Sequence, residues 1–332
     1  MKSLFFILFT VYLLSGFAAV YTVSNSPNTG PDFSSLSAAH TAAQPGDTLY
    51  VCASPTSYGD INITKKLTLI GPGYFLQENP QTQVGSLHAM INQITFGSGA
   101  NESLVTGLQI NKISVNSSDI TIARNYIKCT EGSSYHIINI GWYYSNIVIM
   151  QNYFYYNYEY NNNEGLIKSG AYNNGLLISN NILLSYEGAN LTIDSRSSAT
   201  IENNVILRGT STLNNSIFQN NIVISGAFVN GSGNQIRHNL ANLEQFGSEN
   251  GNQSNIDMNT VFTYTGSTDG KYSLLPTSPA VGAGLNGVDC GAYGGASPYV
   301  LSGMPANIPS IYEVQAPSTG FVLPLGFKAA AH

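Results

Sequence analysis

Short apolar runs separated by polar residues recur along most of the chain, as in Ile120-Thr121-Ile122 and Ile147-Val148-Ile149. Their spacing does not follow the 3.6-residue period of an amphipathic helix, and glycine and asparagine interrupt them too often for helices of ordinary length. The pattern therefore predicts many short β-strands joined by turns.

Six of these segments share one motif: a large apolar residue, an asparagine three positions later, and another apolar residue two positions after that. The motif occupies Ile122–Ile127, Ile149–Phe154, Ile178–Leu183, Ile201–Ile206, Phe218–Val223 and Ile236–Ala241. Its asparagines are Asn125, Asn152, Asn181, Asn204, Asn221 and Asn239, separated by 27, 29, 23, 17 and 18 residues. A repeat of this length indicates a solenoid in which each repeat is one coil.

The recurring asparagine favours a β-helix over a β-sandwich, because a sandwich gives no reason for asparagine at a fixed place in successive units. Asparagine tolerates the left-handed backbone of a sharp turn, and stacked coils would bring each side-chain amide against the next. We therefore predict an all-β fold, a right-handed parallel β-helix with an internal asparagine ladder. Roughly ten to twelve coils at ~4.8 Å each would give a rod ~50 Å long.

The ends of a solenoid need covers, because the terminal coils would otherwise expose their core. Near the N-terminus, apolar residues at Phe33, Leu36, Ala39 and Ala43 predict a capping helix, with Asp32 as its N-cap. Near the C-terminus, prolines and glycines interrupt the repeat.

The N-terminus has the parts of a secretory signal: Lys2, an apolar run from Leu4 to Leu14, and small residues ending at Ala19. We predict a signal peptide at residues 1–19, the β-helix at 20–299 and a C-terminal tail at 300–332. The apolar run is shorter than the ~20 residues of a membrane-spanning helix. We therefore expect a secreted chain with no membrane span.

Two stretches near the ends of the predicted solenoid carry further motifs. Gly46-Asp47-Thr48-Leu49-Tyr50-Val51 lies near the start, and Ser278-Pro279-Ala280-Val281-Gly282-Ala283-Gly284 lies near the end, followed by Asp289-Cys290-Gly291-Ala292-Tyr293. They resemble the opening and closing motifs of secreted β-helix proteins in the pectate-lyase-like superfamily, in which an aliphatic residue usually stands at the Cys290 position. The resemblance covers roughly residues 20–300 and implies the right-handed parallel β-helix. It does not imply one function, because the superfamily is similar in shape across lyases, glycoside hydrolases, esterases and adhesins.

Composition narrows the classes of partner. Charged residues make up 9% of the chain, aromatic residues 11%, and the formal net charge is −6. Because the sequence has no basic run, we predict no nucleic-acid partner. We also expect a monomer. The odd number of cysteines, Cys52, Cys129 and Cys290, favours small core residues over disulfides.

Lyases of the superfamily that the chain resembles use clustered carboxylates to bind calcium, with an arginine or lysine as the base. The position two residues before each ladder asparagine reads Ala123, Met150, Ser179, Glu202, Gln219 and Arg237, which includes one carboxylate. The family's lyase residues therefore cannot be carried over to this chain. We predict no metal and no cofactor, and the sequence does not indicate calcium.

The candidate catalytic group is Asp194, Lys168 and Arg196. Strand alternation from Leu191 onward points Asp194 and Arg196 outward, and Lys168 lies one coil earlier. The alternative is a surface ion pair of little energetic weight. We interpret His136 as a core histidine and His238 as a turn residue.

Aromatic residues are the most distinctive feature of the two longest repeats. Tyrosine and tryptophan combine a flat apolar face with a polar edge, which suits stacking on sugar rings. The alternative is that these rings pack against the flank of the solenoid. The candidate ligand-binding residues are Trp142, Tyr143, Tyr144, Tyr156, Tyr158 and Tyr160.

Two functions remain open at this point. The first is a carbohydrate-directed protein that binds, or cleaves, a polysaccharide or surface glycan. The second is a surface or matrix protein without chemistry, whose stack acts as a rigid spacer or adhesin. The sequence alone leaves open whether the protein is an enzyme.

Overall fold

The computed structural model of the protein describes residues 18–27, 30–83, 85–129, 136–156, 165–185, 190–193, 196–306, 308–315 and 326–330. Within these ranges the chain winds through parallel strands that form three faces around one apolar core. Strands of successive coils pair in register along each face. The predicted right-handed parallel β-helix is confirmed, and the β-sandwich is excluded. The predicted signal peptide lies outside the described residues, apart from its last two positions.

Each coil visits the three faces in the same order. Face 1 contains β1 (Val20–Val23), β2 (Thr48–Val51), β4 (Thr68–Ile70), β6 (Leu104–Thr106), β8 (Thr121–Ala123), β11 (Val148–Met150), β14 (Leu176–Ser179), β17 (Ala199–Glu202), β20 (Ile217–Gln219) and β23 (Gln235–Arg237). Face 2 contains β9 (Tyr126–Cys129), β12 (Tyr153–Tyr156), β15 (Ile182–Ser185), β18 (Val205–Leu207), β21 (Ile222–Ile224) and β24 (Leu240–Ala241). Face 3 contains β3 (Asp60–Ile63), β10 (Ile138–Ile140), β13 (Gly165–Ser169), β16 (Asn190–Ile193), β19 (Thr210–Leu213) and β22 (Ala227–Asn230). The long strands β5 (Met90–Phe96) and β7 (Gln109–Val115) bend through faces 2 and 3. In the described part of the chain, face 1 has ten strands, in agreement with the ten to twelve coils expected.

The short apolar runs of the sequence become inward columns. On face 1 the register stacks one apolar side chain from each coil, and these side chains are fully buried except in the first and last coils. Burying such a column requires neighbouring coils, because one coil alone cannot cover it. The column includes Leu49, Leu69, Val105, Ile122, Ile149, Ile178, Ile201 and Phe218.

The asparagine ladder forms as expected at the turn from face 1 to face 2. The six predicted asparagines are fully buried, and each side-chain Nδ2 donates to Oδ1 of the next asparagine at 3.0–3.2 Å. Each Oδ1 also accepts the backbone N–H of the preceding asparagine, for example Asn181 N to Asn204 Oδ1 at 3.0 Å. Asn252 adds a further member, because Asn239 Nδ2 donates to its Oδ1 at 3.1 Å.

The left-handed residue of each turn is not the ladder asparagine, which corrects one premise of the sequence analysis. The residue before it adopts positive φ, between 53° and 56°. This position holds Arg124, Gln151, Asn180, Asn203, Asn220 and His238. His238 is a turn residue as predicted. The ladder residues need asparagine for the hydrogen bonds of the side chain rather than for the backbone conformation.

The predicted capping helix is present but shorter. It is α1 (Leu36–Ala42), with Leu36 and Ala39 buried, and its N-cap is Ser35, whose Oγ accepts from Ala38 N at 3.2 Å. Phe33 cannot be helical because its backbone pairs with β1, through Ser24 N to Phe33 O at 3.0 Å and Phe33 N to Thr22 O at 3.1 Å. The predicted cap Asp32 instead accepts from the backbone N–H and hydroxyl of Thr22.

The solenoid strands end at Ala241, and the chain then turns back along the outside of the rod. Residues 256–304, here called the C-terminal strap, cover the outer side of face 2. Short 3₁₀ helices punctuate this region, and a two-stranded antiparallel sheet, β25 (Ser310–Gln315) and β26 (Gly326–Ala330), follows it. The 3₁₀ helices are Glu249–Gly251, Met258–Thr260, Gly270–Tyr272, Leu285–Gly287 and Leu301–Gly303.

The strap exists because face 2 is apolar on both sides. Its outward column, which contains Tyr153, Ile182, Val205 and Ile222, packs against apolar side chains of the strap. Buried Cys290 belongs to this second cluster, and Cys52 and Cys290 are free thiols. Burial raises the pKa of the Cys290 thiol to about 12, which makes this thiol inert.

The left-handed turn residues hold the strap with their side chains. Asn203 Nδ2 donates to Asp289 O at 2.9 Å, and Asn180 Nδ2 donates to Gly294 O at 2.7 Å. The same column of turn residues contacts the strap at Ala283, Leu285, Ala292, Ser297, Pro298 and Met304. Turn residues of earlier coils contact later residues of the strap. The strap therefore runs along the rod in the direction opposite to that in which the coils advance.

Candidate functional site

Exposed aromatic rings cluster where the chain passes from face 3 to face 1 in successive coils. Trp142 is 58% exposed, Tyr143 67% and Tyr172 42%. Leaving such rings in water gives up the free energy that their burial would contribute to folding. Arg196 lies on the corresponding loop of the next coil and is also exposed. We call these four residues the aromatic ridge.

The ridge is a stack that follows the coil repeat. The rings of Tyr143 and Tyr172 are 4.9 Å apart and nearly parallel, at 10°. The Arg196 guanidinium carbon lies 4.9 Å from the Tyr172 ring centre and 5.6 Å from that of Trp142. Tyr172 therefore contacts both Tyr143 and Arg196, whereas Trp142 and Tyr143 are the most exposed rings of the ridge.

Polar side chains beneath the ridge fix its loops. Asn173 Oδ1 accepts from Tyr144 N at 2.8 Å, and Asn173 N donates to Ser197 Oγ at 3.0 Å. Ser197 Oγ in turn donates to Gly170 O at 2.7 Å. Gly170 must be glycine, because a Cβ there would lie 2.5 Å from Trp142 Cδ1. The loops are thus held in place before any ligand arrives.

The backbone gives no reason for tyrosine at two of these positions. Tyr143 and Tyr172 have φ of 68° and 62°, the left-handed region that bulky side chains rarely adopt. Asparagine or glycine would fit this conformation better. Such an outlier points to a use for the ring itself.

The other predicted aromatic residues lie elsewhere. Tyr144 is partly buried against the core, and Tyr156 is 4% exposed inside it. The Tyr156 side chain faces the solenoid interior, so a ligand contact there is not supported. Tyr158 and Tyr160 lie outside the described residues.

The predicted catalytic residues are only partly described. Lys168 is exposed on β13, where the register places it between Asn139 and Thr192. Arg196 follows β16 in a loop, so strand alternation does not set its direction, and its guanidinium joins the aromatic ridge instead. Asp194 lies outside the described residues.

Half-buried His136 lies close to Lys168. Burial, together with the positive charge of Lys168, lowers the pKa of His136 to about 4, so this imidazole is neutral at physiological pH. Within the described residues no group of three or more histidine, cysteine, aspartate or glutamate side chains could hold a metal ion. In the same ranges, no helix is both long enough and apolar enough to cross a membrane.

Tyr172 is the ridge residue that the sequence analysis missed, although the sequence contained a signal for it. The segments Gly141-Trp142-Tyr143-Tyr144 and Gly170-Ala171-Tyr172-Asn173 are offset by 29 residues, the same interval that separates Asn152 and Asn181. Aligning the coils on their ladder asparagines would have placed Tyr172 beside Tyr143.

Comparisons with known proteins do not assign a function to the chain. No protein-family model and no curated protein matches the chain. Among solved structures, the crystal structure of pectate lyase Pel9A is similar, with 14% sequence identity, a TM-score of 0.44, and coverage of 84% of this chain and 96% of that one. The chain is a right-handed parallel β-helix protein whose face 2 is covered by the C-terminal strap.

Proposed function

We propose that this protein is a secreted glycan-binding β-helix whose contact surface is the aromatic ridge. The observation that carries the proposal is the exposure of Trp142 and Tyr143 on loops that buried hydrogen bonds hold in place. Rigid aromatic rings on a prearranged surface lose little conformational entropy when they bind.

The chemistry of the ridge suits sugars in particular. The open faces of Trp142 and Tyr143 can stack on the C–H side of a sugar ring, while tyrosine hydroxyls and the Arg196 guanidinium bind hydroxyl groups. Arg196 adds positive charge to the ridge, which favours a weakly acidic glycan over a neutral one of the same shape. Cleavage by Asp194, Lys168 and Arg196 would be an additional property of the same surface.

The test is binding of glycans to matched tyrosine variants. We expect Trp142→Ala and Tyr143→Ala each to weaken binding of a panel-identified polysaccharide about fivefold, because stacking on each ring contributes ~1 kcal/mol. Tyr264→Ala is the control, since Tyr264 shares the 42% exposure of Tyr172 and has a positive φ of 51° but lies on the strap. Equal affinity in all three variants would contradict the proposal.

The rigid-spacer alternative has one observation in its favour. Tyr143, Tyr172 and Arg196 cover one another's faces, as a stack that served stability alone would do. Absence of glycan binding together with a lowered melting temperature in Tyr172→Ala would favour the spacer. Release of reducing ends or unsaturated uronates that is lost in Asp194→Asn, with binding retained, would identify an enzyme.

A further inference from the structure

A groove lies on the outside of face 1, beside the C-terminal strap. Its volume is about 640 Å³, within the usual range of small-molecule sites. The floor is formed by Ile70, Leu104, Ala123 and Met150 of successive coils, and its side is formed by Pro298 of the strap and by Pro305, which directly follows the strap. The lining is therefore mainly apolar.

One charged side chain, Arg124, belongs to this lining. Its Nε donates to Gln151 Oε1 and one of its terminal nitrogens to Met304 O, both at 2.9 Å, so both acceptors are neutral. Among the ion pairs of the described residues none involves Arg124. Burial lowers the pKa of the guanidinium, yet arginine stays protonated at ordinary pH.

A half-buried cation without a counter-charge is costly, and an anion in the groove would relieve that cost. The guanidinium has five N–H donors, of which the two hydrogen bonds use two. The apolar floor would exclude a small, strongly hydrated anion but accept one with a hydrocarbon body. Charge and lining together define an amphiphilic ligand.

We propose that the face-1 groove binds an organic carboxylate with an apolar body, such as a medium-chain fatty acid. Its carboxylate pairs with Arg124, and its chain lies over Ala123 and Met150. The column Ile70, Thr106, Ala123 and Met150 spans three coil steps, ~14 Å at ~4.8 Å each, which accommodates an extended chain of medium length.

The test titrates the full-length secreted chain with octanoate and with octan-1-ol, followed by calorimetry. We expect saturable octanoate binding and about tenfold weaker octanol binding, because octanol cannot form a charge-assisted pair with Arg124. In Arg124→Met, the affinity for octanoate should fall to the affinity for octanol, and the affinity for octanol should stay unchanged. Arg237→Met is the matched control, since Arg237 also donates its Nε to a glutamine Oε1 at 2.9 Å and is on the same face.

A second variant covers the case in which Arg124→Met fails to fold after losing its contact with the strap. Met150→Glu leaves that contact in place and sets a carboxylate on the groove floor, so octanoate binding should again weaken about tenfold. No octanoate binding in the wild type, equal affinity for octanoate and octanol, or octanoate binding that survives Met150→Glu would each overturn the proposal.

Discussion

Two neighbouring residues in each turn from face 1 to face 2 behave in opposite ways. The ladder residue points inward, is asparagine in all six predicted coils, and bonds to its counterpart in the next coil. The residue before it points outward, adopts the left-handed backbone, and bonds to the strap. It varies among arginine, glutamine, asparagine and histidine.

The difference follows from what each side chain contacts. A ladder residue meets a copy of itself, and its amide supplies an acceptor oxygen and two N–H donors, as in Asn181, whereas a hydroxyl has only one donor. A strap-holding residue meets backbone groups at a different position of a non-repeating segment in every coil. Its side chain therefore only has to reach a carbonyl or an N–H, which several residue types can do.

Breaking the ladder should have the largest effect. Asn204→Ala removes the acceptor of Asn181 N and Nδ2 and the donor to Asn221, all of them buried. We expect a loss of ~1–3 kcal/mol in the free energy of unfolding, because buried polar partners remain unpaired. Urea unfolding of the variant measures this loss. A loss no larger than that caused by Asn174→Ala, at an exposed asparagine, would contradict the ladder as a stabilising element.

Breaking a strap contact in the same turn should have a smaller and more local effect. Asn203→Gly keeps the left-handed backbone and removes the side-chain bond to Asp289 O, so the expected loss is ~1 kcal/mol. Hydrogen exchange should accelerate in residues 282–294 and not in the core strands. Uniform acceleration along the solenoid would show that strap and coils open as one unit.

The smallest effect concerns His136, which belongs to neither column. Its pKa is lowered to about 4 in the folded protein from an ordinary 6.5, so between these pH values the unfolded chain binds more protons. Stability should therefore rise as pH increases from 4 to 6.5, by ~1 kcal/mol after allowance for solvent screening. His136→Asn should reduce this slope, and Lys168→Met should raise the His136 pKa in an NMR titration. An unchanged slope in His136→Asn would assign the pH dependence to other groups.

The β-helix, its ladder and the presence of a capping helix could all be predicted from the amino-acid sequence. These features repeat from coil to coil or depend on near neighbours, so residue type and spacing are sufficient to predict them. The aromatic pair of Tyr143 and Tyr172 could also have been predicted by aligning the coils on Asn152 and Asn181.

The start of the helix, the exposure of individual tyrosines and the cover over face 2 depend instead on contacts between distant parts of the chain. Phe33 pairs with β1 rather than entering α1, and Tyr156 turns inward, because packing between distant segments overrides local pattern. The groove at Arg124 joins residues 180 positions apart, and the strap contact between Tyr74 and Tyr299 joins residues 225 positions apart, with no shared repeat. Contacts between a repeating and a non-repeating segment produce no periodic pattern in the sequence. They therefore cannot be predicted from residue type and spacing and are visible only in the folded structure.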